Sequence, residues 1–212
     1  MEFSKLLQGL SQWFGKKSPS RLEQMLDSFT EDESHRFNDV FRRSESAREH
    51  LRSGMQLLYT NNRNYDVAIM VFNKIIELAP HDNPIAYFCR GDAYQGKGDY
   101  DAAIRDYDKV IELLPNNPIA YLGRGDAYQG KEDYTAAIVN YNKVIVLNSR
   151  NAEAYYNRGN AYCGCGVKYR VTKNYLDAFR DFKKAAELDS RYRARLVEFE
   201  RLVNNANRFG FF

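Results

Sequence analysis

PIAYFCRGDAYQGKGDYDAAIRDYDKVIELLPNN, residues 84–117, runs directly into PIAYLGRGDAYQGKEDYTAAIVNYNKVIVLNSRN, residues 118–151, and the two 34-residue blocks are identical at 23 positions. A unit this short cannot bury its own apolar face. Copies must stack, and stacked copies present an extended concave surface rather than an enclosed reaction pocket. Binding is therefore the first expectation, ahead of catalysis.

Within the first block Tyr87, Gly91 and Tyr94 recur at helical steps, GKGDY interrupts, and Ala103, Tyr107 and Val110 resume the period until Pro115 stops it. The spacing predicts a helix, a turn and a second helix. Gly91 with Ala103, and Gly125 with Ala137, are expected to face each other across each pair, letting the backbones approach closely. Tyr100 and Tyr134, just after the Asp of each turn, are placed to wedge the two helices at that corner.

Two more copies flank these blocks. Downstream, Tyr155, Gly159 and Tyr162 are followed by Tyr175, Ala178, Phe182 and Ala185, with the insertion GVKYRVTKN expected to lengthen the turn by seven residues. Upstream, Gly54 to Leu58 precedes Tyr65, Ala68, Phe72, Ile75 and Pro80, but Gly54 to Tyr65 is two residues longer than Gly91 to Tyr100, so the register of that first helix stays open. The aromatic, small Gly, Tyr, Ala, aromatic and Pro spacing resembles the tetratricopeptide repeat family over about residues 47–190. The resemblance implies an all-α superhelix (a solenoid) of about four helix-turn-helix repeats. Its parts are N-terminal amphipathic and capping helices over 1–46, a divergent repeat over 47–83, repeats over 84–117, 118–151 and 152–190, and a capping helix with an aromatic tail over 191–212. Arg90, Arg124 and Arg158 stand where the family more often has Leu, which points to buried or inter-repeat ion pairing.

Composition agrees: 44% apolar and 28% charged residues describe a well-packed chain. No apolar run approaches the roughly 20 residues that span a bilayer. MEFSKLLQGLSQWFGKK lacks a cleavage site of small residues, so the expected compartment is the cytoplasm. The net charge of +3 hides an asymmetry, because residues 152–212 carry 12 Lys and Arg against 7 Asp and Glu. The interleaved acids make this a solvated face, and no nucleic-acid-binding motif accompanies it, so nucleic acid is disfavoured as a partner. Cys163 and Cys165 form a Cys-Gly-Cys pair, but His35, His50 and His81 are distant in sequence and Cys89 leaves the count odd. Free thiols and no metal are expected. There is no phosphate loop, nucleophile elbow or zincin helix, hence no cofactor and no enzyme. The two RGD triplets, Arg90 to Asp92 and Arg124 to Asp126, fall mid-helix at equivalent positions and are not read as adhesion ligands.

The ends are amphipathic. Phe3, Leu6, Leu7, Leu10, Trp13 and Phe14 share an arc of about 120° on a helix, which its own repeats, a second copy of the chain in a homodimer, or a membrane surface could cover. Gly15, Ser18, Pro19 and Ser20 then form a hinge. Ser20 with Glu23, Thr30 with Glu33 and Ser46 with Glu49 read as capping boxes, opening helices through Leu22, Met25, Leu26 and Phe29, through Phe37, Val40 and Phe41, and at the first repeat. Tyr192, Leu196, Phe199, Val203 and Ala206 mark a final helix with Arg191, Arg193 and Arg195 on its outer side, against which Phe209, Phe211 and Phe212 are expected to fold back.

What the resemblance implies for function lies on the first helices of the repeats. Their groove positions are Ile85, Phe88, Asp92 and Gln95, then Ile119, Leu122, Asp126 and Gln129, then Glu153, Tyr156, Asn160 and Cys163. Cochaperones of this family grip a C-terminal carboxylate with Lys, Arg and Asn; the matching positions here hold Phe88, Asp92, Gly123, Glu153 and, in sole agreement, Asn157. The expectation is a non-enzymatic scaffold holding a protein partner's peptide or amphipathic helix, with apolar anchors against Ile85, Phe88, Ile119, Leu122 and Tyr156 and donors toward Asp92 and Asp126. A secretion-type or assembly chaperone shielding an apolar client segment is the alternative.

Overall fold

A computed structural model describes residues 21, 24–25, 45–59, 63–78, 83–169 and 172–208. The described residues are all-α: α1 Glu45–Tyr59, α2 Tyr65–Leu78, α3 Pro84–Lys97, α4 Tyr100–Leu113, α5 Pro118–Gly130, α6 Tyr134–Leu147, α7 Ala152–Tyr169, α8 Thr172–Leu188, a 3-10 turn Ser190–Tyr192 and α9 Arg193–Arg208. Arg21, Gln24 and Met25 are also helical. The amphipathic arc of residues 3–14, the hinge, most of the two helices expected to follow it, and the tail Phe209, Phe211 and Phe212 lie outside the described residues. The chain divides into compact units of residues 1–123 and 124–212, the division falling within α5.

The caps explain the boundaries. Asn83, Asn117 and Asn151 precede α3, α5 and α7, and each side-chain Oδ1 accepts a first-turn N–H: Ala86 at 3.1 Å, Ile119 at 3.0 Å and Ala154 at 2.9 Å. Asp99 and Asp133 do the same for α4 and α6, toward the N–H groups of Ala102 and Ala136. Pro84 and Pro118 open α3 and α5, where a missing N–H costs nothing. Ser46 is different from its expected role. The first helix begins one residue earlier, and the Ser46 hydroxyl bonds His50 Nδ1 at 3.2 Å instead of capping.

In the unit of residues 1–123, α1 pairs with α2 and α3 with α4. The small residue of each first helix meets the aromatic ring of the second. A Cβ on Gly91 would stand 3.0 Å from the Tyr107 ring, and one on Gly54 would stand 2.8 Å from Phe72. That equivalence fixes the register of the first repeat. Gly123 also approaches the Tyr107 ring, so two glycines meet one aromatic. Phe72, Phe88 and Tyr107 are fully buried, each contributing on the order of 2–3 kcal/mol of apolar transfer.

In the unit of residues 124–212 the rule repeats, with Gly125 against Tyr141 and Gly159 against Phe182. The Tyr134 ring lies against Gly164 of the following helix α7, as Tyr65 lies against Gly96 of α3. The insertion after Gly164 is not the expected long turn. It lengthens the helices themselves, so α7 has 18 residues and α8 has 17 where α5 and α6 have 13 and 14. Tyr175 packs against Gly166 in this extension. Phe199 of α9 completes a cluster with Ala178 and Phe182, flanked by Leu196 and Val203. Arg195 does not simply face outward, since its guanidinium lies 5.3 Å from the Phe182 ring centroid.

Candidate functional site

Two hydrogen-bond networks organise the first helices. Asp92 on α3 receives the Tyr59 hydroxyl at 2.6 Å and the Tyr107 hydroxyl at 2.8 Å, and Gln95 lies 3.0 Å from the same Tyr107 oxygen. A phenol carries one proton, so Asp92 takes it and the Gln95 amide completes the shell. Burial and then the Asp92 charge push the Tyr59 hydroxyl well above its usual range, which keeps it a donor. Asp126 on α5 repeats this arrangement with Tyr141 at 2.7 Å and with Asn157 Nδ2 at 2.9 Å, and Gln129 lies 3.2 Å from Tyr141.

The second network is built on the arginines. Arg90 forks onto Asp106 of α4, Nε to Oδ2 at 2.8 Å and Nη2 to Oδ1 at 2.6 Å, while Nη1 reaches Asn73 of α2 at 2.7 Å. It thereby joins its own pair and the preceding one, and lies 5.4 Å from the Tyr87 ring centroid. Arg158 forks onto Asp181 of α8 at 2.7 Å and reaches Asn142 of α6. Burial raises the carboxyl pKa of Asp106 and Asp181 from its ordinary value, against the pull of their arginines. Arg124 Nε donates to Asn140 at 2.7 Å, an amide in place of the carboxylate. Of the buried or inter-repeat ion pairing expected at these arginines, the ion pairs of Arg90 and Arg158 are largely buried and lie within a repeat, while the links to the preceding repeat are hydrogen bonds to the amides of Asn73 and Asn142.

The expected groove residues separate into three groups. Ile85, Phe88, Ile119 and Leu122, expected as open anchors, are fully buried. Asp92, Gln95, Asp126 and Gln129 are half-buried and engaged by tyrosine hydroxyls, so the two acids are not waiting for a partner's cation. Glu153, Tyr156, Asn157 and Asn160 are half-buried on α7. Tyr156 stacks on Tyr192 at 4.7 Å between centroids. The cause of the first group's burial is visible in α3, where every residue from Pro84 to Cys89 is buried. Six consecutive helical positions go right round the axis, so α3 has no open face at this end. On α7 only Ala154 of the equivalent Ala152 to Asn157 is buried. Met25 is itself fully buried, and its carbonyl accepts from Asn117 Nδ2 at 3.3 Å, two residues before Ile119.

Sequence reasoning missed two contributors. Tyr59 sits where its equivalents in the next repeats are glycines, so periodicity gives no signal for it. The Asn83, Asn117 and Asn151 series was legible as an Asn before each helix at a spacing of 34 residues. The three cysteines are free; Cys89 and Cys165 are buried, and burial pushes the half-buried Cys163 thiol up to about 11. Among the described residues no group of three or more His, Cys, Asp or Glu could hold a metal ion, and no helix is long and apolar enough to cross a membrane.

Residues 96–132 and 130–164 match the family described as TPR repeat, and residues 57–82 match the tetratricopeptide repeat. No curated protein matches the chain in sequence. Among solved structures, residues 41 to the end of MamA from Desulfovibrio magneticus RS-1 are similar at TM-score 0.64 and 21% identity, covering 78% of this chain and 89% of that one. A thermophilic TPR protein from Thermus thermophilus, TTC0263, is similar at TM-score 0.60 and 20% identity, covering 76% and 85%. The first TPR of Spaghetti (RPAP3), bound to the HSP90 peptide SRMEEVD, is similar at TM-score 0.52 and 24% identity, covering 58% and 95%. With its Gly-on-aromatic pairs, its 34-residue period and these matches, the chain carries tetratricopeptide repeats over residues 57–82 and 96–164 and has the all-α superhelical fold of such repeats.

Proposed function

We propose that the chain is a non-enzymatic scaffold that holds a peptide or amphipathic helix of a partner protein on the first helices of its repeats. The observation that carries this is the stiffened face of α5 and α7. Asp126 is fixed from behind by Tyr141 and Asn157, leaving Glu153, Tyr156 and Asn160 half-exposed at helical spacing on α7. Side chains ordered before binding lose little entropy when a ligand arrives, which favours recognition by such a surface. The RPAP3 structure, with its bound peptide, is a relative of the same fold engaged in this kind of recognition. The carboxylate-clamp variety does not fit this chain, because Phe88, Asp92, Gly123 and Glu153 replace the cations it needs.

Affinity capture followed by mass spectrometry, repeated with Glu153→Arg/Asn160→Arg, tests the proposal. Both changes lie on half-exposed positions of α7, so the helical circular dichroism is expected to stay unchanged. A partner retained by the wild type and lost from the variant, then shown to bind directly in purified form, supports the scaffold. A partner retained equally by both places binding elsewhere and overturns the site.

A further inference from the structure

The second helices of the two near-identical blocks, YDAAIRDYDKVIEL in α4 and YTAAIVNYNKVIVL in α6, differ at five positions. Every one of the five removes a charge. Asp101, Arg105, Asp106, Asp108 and Glu112 of α4 correspond to Thr135, Val139, Asn140, Asn142 and Val146 of α6. α4 therefore holds four acids and two bases, whereas Lys143 is the one charged residue of α6. The packed side is untouched: Ala137, Tyr141 and Val144 are fully buried, as Ala103, Tyr107 and Val110 are in α4, so the two helices sit in the same register.

Four of the five changes fall on the exposed side of α6, at Thr135, Val139, Asn142 and Val146. Asn142 has a role within the fold, since it accepts from Arg158 as Asn73 accepts from Arg90. The valines do not pack: Val139 is 62% and Val146 78% exposed. Seven residues of helix put them within about 20° of one another and about 10 Å apart along the axis, with Lys143 between them on the same stripe. Valine is a poorer helix former than Arg or Glu, and Glu112 pairs with Lys109 at 2.9 Å in α4, so the exchange costs α6 local stability without adding to the core. A loss in the isolated chain becomes contact surface once a partner covers it.

We propose that this stripe of α6 is a second interaction surface, and that its partner is an acidic amphipathic helix lying along α6. The chemistry of the occupant follows from what the stripe has lost and kept. Three exposed acids of α4 are absent from it and a lysine remains, so Asp or Glu on the partner meets a positive field where α4 would repel it. The valines stand two turns apart, a spacing that an apolar pair at i and i+7 of a facing helix matches. A second copy pairing α6 against α6 would bring Lys143 close to its own counterpart. A lipid surface would favour Trp, Tyr or Phe at its edge, and Thr135, Val139, Asn142, Lys143 and Val146 include none. The surface goes beyond the α7 face and does not depend on it.

The probe is a fluorescein-labelled synthetic helix of about 18 residues made of Leu, Glu and Ala, with Leu at i, i+3, i+4 and i+7, titrated by anisotropy into the full-length protein. A control probe carries Lys in place of every Glu. Val139→Arg/Val146→Glu rebuilds on α6 the exposed residues that α4 already carries, so the fold is expected to be retained. The wild type is expected to bind the acidic probe at least about tenfold more tightly than this variant does, and at least about tenfold more tightly than it binds the Lys probe. Equal affinity of the two proteins, a preference for the Lys probe, or no binding of the acidic probe overturns the proposal. Lys143→Glu gives an answer even where the double variant does not fold: it keeps both valines and is expected to weaken the acidic probe at least about threefold, and an unchanged affinity overturns the charge match. Sedimentation velocity and flotation with phosphatidylserine vesicles test the other occupants. A dimer or a lipid complex that Val139→Arg/Val146→Glu abolishes assigns the stripe to a second copy or to a membrane and overturns the acidic helix. Partner capture at α7 and probe binding at α6 are read by different variants, so the two proposals fail separately.

Discussion

The hydroxyl of Tyr107 donates to Oδ1 of Asp92 at 2.8 Å across the α3 and α4 pair. Tyr141 and Asp126 repeat the bond in the following repeat. In the outer repeats both partners change together: the residue after the small Gly is Met55 or Asn160, and the facing aromatic is Phe72 or Phe182. A phenol is kept where a carboxylate needs its proton and dropped where none does. Tyr141→Phe is therefore expected to cost about 1.5–3 kcal/mol, the range for a hydrogen bond to a charged group. Combined with Asp126→Asn, which recreates the pairing of Asn160 with Phe182, the loss should be smaller than the sum of the two single changes. A double-mutant cycle in urea checks this, and strict additivity would show that the two residues do not interact.

Asp106 offers a graded test of the arginine network. Asp106→Ala leaves the half-buried Arg90 without its carboxylate and is expected to cost about 3 kcal/mol. Asp106→Asn should cost about 1 kcal/mol, because an amide retains an acceptor for the guanidinium. Arg124 with Asn140 is the same pairing already present in this chain. The pH dependence has a definite sign. Burial raises the Asp106 carboxyl above its unfolded value, so its contribution to stability is full below the unfolded pKa and is lost as pH rises through the folded one. The stability of the wild type relative to Asp106→Asn should therefore grow as pH is lowered from 7 into the carboxylate range. Chemical denaturation at a series of pH values measures that difference, and a difference that shrinks toward acid contradicts the assignment.

The fold was legible because its signals are periodic. Gly91, Gly125 and Gly159 with an aromatic 16 or 23 residues later mark the helix pairs by spacing alone. What periodicity could not supply was the fate of non-periodic pieces. The insertion GVKYRVTKN contains Gly and lies between two repeat helices, so it reads as loop; its described residues 166–169 and 172–174 are instead helical, with Tyr134 packed on Gly164 and Tyr175 on Gly166. Ile85, Phe88, Ile119 and Leu122 were expected as open anchors but are buried, because the exposure of a helix face depends on what packs around it, which repeat spacing does not record. Asp92 and Asp126 looked available for the same reason, since a tyrosine that reaches an acid from another helix leaves no mark on the acid's own neighbourhood.

A backbone feature tests the same repeat logic. The residue after α3 is Gly98 with φ of 80°, and its counterpart 34 residues later is Glu132 with φ of 59°. Only glycine takes this left-handed region without strain. Glu132→Gly is expected to raise stability by about 0.5–1 kcal/mol, the strain relieved exceeding the extra entropy of the unfolded glycine. Thermal melting of the pair checks it. Destabilisation would mean that the exposed Glu132 side chain contributes more than the turn costs it.

Thiol reactivity separates a buried, inert cysteine set from a redox or metal pair. Cys163 and Cys165 are two residues apart on α7, so they point to different sides of the helix and cannot close on one ion. Burial places the Cys163 thiol at about 11, while Cys89 and Cys165 are enclosed. The thiolate is the reactive form, so at neutral pH Cys163 is protonated almost entirely. Alkylation of the folded protein by iodoacetamide is expected to be slow at pH 7 and to rise about tenfold per pH unit through pH 9 without levelling off. An ordinary thiol, with a pKa of about 8.5, would already be turning over toward its plateau in that range. All three cysteines should react promptly once the chain is unfolded in guanidinium. A plateau below pH 9 for Cys163, read by mass spectrometry of the modified peptide, would show an activated thiol and revive a redox role for the Cys-Gly-Cys pair.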